Sequence, residues 1–136
     1  FFVLKKYLSF SVILKKQLYE RHRIQSLGIQ INRYHKKRFN PGYQLAQSGH
    51  AISQFHLDHP DLAKRWNNNY LISLSVSSEN KLETLLSKLC TMGIPVSYFT
   101  EPDINDELTS ICFLETEQTM KLTSHLRLSL ESITNN

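Results

Sequence analysis

Two short stretches of the chain carry the side chains that move or donate protons. The first, NPGYQLAQSGHAISQF over residues 40–55, holds Tyr43, Gln47 and His50. The second, EPDINDE over residues 101–107, holds Glu101 and Asp103. An ionised carboxylate in the acidic stretch accepts protons and hydrogen bonds, and His50, or the N–H groups at a helix start, can donate them. Tyr43 offers one hydrogen bond but no charge near neutral pH. Each residue also has a plain structural use. His50 can bond across a helix to Gln47 or Gln54, Tyr43 can pack on a loop, and Asp103 and Asp106 can form turns or caps.

The first stretch predicts a helix. Asn40 is a good N-cap, and Pro41 follows at the first helical position, where its missing N–H costs nothing. Tyr43, Gln47, His50 and Gln54 then recur at i, i+4, i+7 and i+11, a polar stripe on one side. Leu45, Gly49, Ile52 and Phe55 predict an apolar face. Ala46, Gly49 and Ser53 predict a small-residue face on which the backbone approaches a sheet.

The pattern GYQLAQSGHA resembles the first-helix signature of type-2 peptidyl-tRNA hydrolases, roughly Gly-Lys-x-Ala-Ala-Gln-x-x-His-Ala. Gly42, Ala46, Gln47, His50 and Ala51 match, while Tyr43 stands where the family has a lysine. The order of elements to about Leu130 is also similar, so the resemblance covers about two-thirds of the chain. It implies hydrolysis of the ester between a peptide, or an amino acid, and the terminal ribose of tRNA. The catalytic candidates are then Glu101 or Asp103 as the base that activates water, His50 or the helix-start N–H groups as donors to the developing oxyanion, and Tyr43; Gln47 is a candidate RNA contact. The acidic loop lacks the family's Asp-Ala-Gly-x-Thr run, and Thr109 most resembles a later threonine that opens the fourth strand. The alternative is an inactive homologue that binds RNA or a protein.

Further along, Pro60 opens a short helix carrying Leu62, Ala63 and Trp66. Residues 70–76 alternate as a strand, Ser78 caps a helix over 79–91 ended by Gly93, and residues 94–100 form the next strand. That order implies a right-handed parallel crossover. Residues 108–114 predict another strand, Thr116 caps a helix to about His125, and residues 126–130 alternate as a short terminal strand. Together with the resemblance this predicts an α/β fold: three layers, α/β/α, around a mostly parallel mixed sheet of about four strands. Ligands of such sheets gather beyond the carboxyl ends of the strands, where residues 35–43 and 101–107 would meet, with the strand opening at Thr109 a further candidate.

Charge is unevenly distributed. Residues 1–40 hold ten Lys/Arg against one acid, Glu20, a balance of +9; residues 41–136 hold six against eleven, a balance of −5. Lys36, Lys37 and Arg38 fall just ahead of the helix start, where cations and the helix dipole both favour a phosphate. The alternative is a solvated charge run. Residues 1–27 are expected to be a basic extension, either helical or poorly ordered. Residues 28–130 are expected to form one domain, with 131–136 a frayed tail. The apolar run over residues 1–14 is short of the ~20 residues a membrane span needs and is broken by Lys5 and Lys6.

Cys90 and Cys112 lack metal-ligand spacing and read as free thiols of a reducing compartment, hence a cytoplasmic protein. His56, Asp58, His59 and Asp61 are interrupted by Pro60 and lack an evident fourth ligand. No cofactor is expected, and no membrane contact. The expected partner is tRNA, with a homodimer left open.

Overall fold

The computed structural model describes residues 27–32 (backbone only), 40–66 and 70–129. The N-terminal extension and the polar tail lie outside them, apart from Leu27. The elements are β1 (Leu27–Asn32), α1 (Pro41–Asp58), α2 (Pro60–Ala63), β2 (Leu71–Val76), α3 (Glu79–Thr91), β3 (Val96–Glu101), a 3-10 turn (Pro102–Ile104), β4 (Glu107–Leu114), α4 (Glu117–Thr123) and β5 (Arg127–Leu128).

These strands form one five-stranded sheet in the order β3-β4-β1-β2-β5. Only β1 and β2 pair in parallel; β1 with β4, β2 with β5 and β3 with β4 are antiparallel. The expected three-layer arrangement around a mostly parallel sheet of about four strands is therefore corrected to a five-stranded sheet dominated by antiparallel pairings. Chain length is the physical reason. Only residues 102–106 separate β3 from β4, too few for a crossover of a dozen or more residues, so β4 must fold straight back. Asn105 and Asp106 make that reversal with φ of 61° and 56°, a left-handed conformation their short polar side chains tolerate. β2 and β3, read from sequence as joined by a parallel crossover, have β1 and β4 between them.

The pleat of β4 divides the core. Cys112 and Leu114 face α1 and pack with Ala51, Phe55 and Ala63. Ile111 and Phe113 face α3 and pack with Leu82, Leu85 and Leu89. Helix α3 forms because its leucines recur at helical spacing behind the Ser78 cap, whose side chain accepts from the Lys81 N–H. Glu79, in its first turn, also accepts the Leu108 N–H at 2.9 Å and so fixes the start of β4.

Helix α1 is capped as its sequence predicts: the Asn40 side chain accepts the Tyr43 N–H at 2.9 Å, and Pro41 opens the first turn. Its buried face differs from the expected one. Gln44, Gln47, Ser48, Ala51 and Phe55 are buried, whereas Leu45 and Ala46 are exposed. The small-residue stripe does not meet the sheet, and a Cβ placed on Gly49 would touch nothing. Polar residues win the inner face because partners on the sheet or on the helix itself remove most of the cost of burying them. Among the described residues no helix is long and apolar enough to cross a membrane.

A buried amide clamp at the end of β3

Helix α1 runs against the direction of β3 and is tied to it near both ends. At the far end, the Ser97 hydroxyl donates to Asp58 Oδ2 at 2.7 Å, and Gln54 Nε2 donates to Asp58 Oδ1 at 2.7 Å. At the near end the tie is made by Gln47, one turn after Tyr43. Its Nε2 donates to Glu101 Oε2 at 2.7 Å, and its Oε1 accepts the Thr109 hydroxyl at 2.7 Å. Its own backbone carbonyl accepts the Ser110 hydroxyl at 2.7 Å.

Two successive residues of one strand should point to opposite faces, yet Thr109 and Ser110 both reach Gln47. The ladder explains this. Phe99 pairs with Ser110 and Thr100 with Leu108, so Thr109 is an extra residue in β4, a β-bulge. The bulge swings both hydroxyls to the α1 side while Leu108 stays on the α3 side. Gln47, Thr109 and Ser110 are all essentially excluded from solvent. The clamp is thus a buried network in which the Gln47 amide and both hydroxyls find partners, and such a network holds its members in one geometry.

Glu101, at the last position of β3, is the member of this network nearest solvent. Its Oε2 also accepts the Tyr43 hydroxyl at 3.3 Å. Among the described residues, Oε1 has no hydrogen-bond partner. Tyr43 therefore meets a carboxylate, as expected where residues 35–43 and 101–107 come together. Burial, followed by the charges of Glu101, Asp103 and Glu107, pushes its phenol above the usual tyrosine value. It remains a neutral donor.

His50 lies two turns along α1 and is exposed. It makes neither expected bond, to Gln47 or to Gln54. Its ring instead stacks on Phe99, with centroids 4.3 Å apart and planes 15° from parallel. Asp103 sits exposed in the 3-10 turn and reaches Tyr43 only through its charge. Gln47, expected to touch RNA, has both ends of its amide engaged within the protein. Lys36, Lys37 and Arg38 lie outside the described residues.

Sequence reasoning gave no site role to Phe99 or Ser110, and it placed Thr109 near the site only as the opening of a strand. The only signal in the sequence is the unusual pair of hydroxyls opening an apolar strand. Neither Tyr43 nor Glu101 borders the open hollow of about 400 Å³ at the other end of the sheet, between Leu62, Met92, Ile94, Pro95 and Leu114. Among the described residues, no group of three or more His, Cys, Asp and Glu is placed to hold a metal ion.

The arrangement presents a carboxylate oriented through one oxygen, with the other open, beside a neutral donor and an exposed aromatic stack. A search of family models and of curated proteins finds no match to this chain.

Proposed function

We propose that this chain is a peptidyl-tRNA hydrolase-like esterase that cleaves the ester between a peptide, or an amino acid, and the terminal ribose of tRNA. The observation that supports the reading is the Glu101 carboxylate, held through Oε2 by Gln47 and Tyr43 with Oε1 open. On this reading Glu101 takes a proton from a water, and the water oxygen attacks the ester carbonyl carbon. The carbonyl oxygen gathers negative charge in the tetrahedral intermediate, and the Tyr43 phenol can turn its single O–H toward it, giving up the 3.3 Å bond to Glu101, which Gln47 still holds. The ester C–O bond then breaks, Glu101 returns the proton to the departing ribose oxygen, and a peptide acid and tRNA with free hydroxyls leave. The partner is tRNA met in the cytoplasm. The match of Gly42, Ala46, Gln47, His50 and Ala51 to the family signature supports this choice of ester.

The test is release of peptide from peptidyl-tRNA by the purified chain. Glu101→Gln should lower the rate on the order of 100-fold or more, the usual scale for a lost general base. Its melting temperature should change little, because the introduced amide oxygen can still accept from Gln47. No release above the protein-free rate, or full activity in Glu101→Gln, overturns the esterase reading.

One observation favours a second reading, a silent homologue that binds tRNA without cleaving it. Tyr43 brings no cation, and the carboxylates of Glu101, Asp103 and Glu107 all bear on it. A lysine at that position would stabilise the oxyanion by a factor on the order of 10²–10³, and Tyr43 does not supply that charge. This reading expects binding that weakens steeply with salt and no turnover.

A further inference from the structure

His50 is exposed, yet its ring is not free to tumble. One face lies flat on Phe99 at 4.3 Å, which leaves the opposite face toward solvent. Phe99 is fixed in turn: its side chain packs against the core on the α1 side, and its carbonyl accepts the Thr109 hydroxyl at 3.3 Å. A flat, backed, solvent-facing aromatic ring is the device by which proteins hold unpaired bases, since every base has a π-face to stack. Phe99 and Glu101 are two residues apart on one strand, so they project from the same face about 7 Å apart. The His50–Phe99 stack and the Glu101 carboxylate therefore lie on the same face of the sheet, the α1 side.

We infer that the outer face of His50, backed by Phe99, is a stacking seat for the unpaired 3′-terminal adenine of an RNA. The inference rests on the esterase reading for its choice of RNA end and adds how that end is gripped. It makes His50 a base-binding residue rather than the oxyanion donor expected from sequence. The base stacks on the imidazole, and its ribose then lies over Glu101, with the ester beside the open Oε1. Recognition here is of an aromatic face, so it tolerates another aromatic ring at position 50.

The test is binding of the trinucleotide CCA to the full chain, against the same RNA with an abasic 3′ end. Wild type should prefer CCA, with saturable upfield shifts of the His50 ring protons and of adenine H2 and H8. His50→Ala should weaken CCA binding about tenfold, the scale of one lost base stack. His50→Tyr should stay within about threefold of wild type. Equal binding of the abasic RNA, or equal loss in His50→Ala and His50→Tyr, overturns the seat. CCA binding of this pattern without peptide release sinks only the esterase reading. Peptide release by a chain indifferent to the terminal base sinks only the stacking seat.

Discussion

Gln47 and Glu101 are 54 residues apart in the chain and meet at 2.7 Å, the amide nitrogen of one on the carboxylate of the other. This contact turns a helix and a strand end into one rigid corner. Gln47→Ala would strand the Thr109 hydroxyl on its weaker Phe99 contact and open a buried gap. We expect a loss of about 2–3 kcal/mol in urea unfolding, the range for removing partners from buried polar groups. Gln47→Glu should be worse at pH 8, where two carboxylates would face each other. It should recover toward pH 5, as one of them gains a proton and donates to the other. Melts of this variant at the two pH values check the sign.

Tyr43→Phe removes a half-buried 3.3 Å hydrogen bond, so stability should fall by no more than about 1 kcal/mol. The phenol ionises above its ordinary value, first because of burial and then because of Glu101. Its contribution to stability is therefore complete below the unfolded value of about 10 and disappears as pH climbs through the folded value. Near-ultraviolet difference absorbance should show a late-ionising tyrosine in the wild type that Tyr43→Phe lacks.

Asp58 works in the opposite sense. Hydrogen bonds from Ser97 and Gln54, and then the nearby His59, hold its carboxyl below the usual aspartate value. The stabilisation is present above the unfolded value and fades as pH falls through the lowered one. Asp58→Asn should flatten the acid limb of a stability–pH profile by lowering stability in the neutral range, and leave the most acid range nearly unchanged. An acid limb identical to the wild type would contradict the tie to Ser97.

The two thiols should separate cleanly. Cys90 is exposed, while Cys112 is buried and its thiol is pushed far up by burial. A thiol reagent should modify one cysteine in the native chain and both in denaturant.

Phe55 has no solvent exposure, and Leu57 is 76% exposed two residues later. Phe55→Ala should cost about 3–5 kcal/mol, and Leu57→Ala should stay within about 0.5 kcal/mol. Similar losses at both sites would mean that α1 is rotated from the orientation described.

Elements with local signals were legible. The Asn40 cap and Pro41 start of α1, the Ser78 cap and leucine spacing of α3, and the strands around 71–76 and 107–114 all follow from neighbouring residues. Strand pairing was not legible, because it depends on which edges meet across the fold; only the brevity of the 102–106 connection hinted at a hairpin. The face of α1 was misread for a related reason. Leu45 is more apolar than Gln47, so hydrophobic periodicity turns the wrong side inward. The burial of Gln47 depends on Thr109 and Ser110, more than sixty residues away, and on a bulge that no local pattern announces. That the start of α1 and the 101–107 carboxylates would come together was legible from where the strands end, whereas the His50–Phe99 stack needed the register of α1 on β3.

Among the described residues, β4 has a strand on each side and packs against α1 and α3, whereas β3 pairs on one side only. Amide hydrogens of β4 should therefore exchange last, in step with global opening, and those at the end of β3 far sooner. Gln47 holds one hand on each. Thr109 anchors it to the part of the molecule that breathes least, and Glu101 extends from a margin that breathes more, so the carboxylate keeps a fixed tether while its own strand retains room to yield.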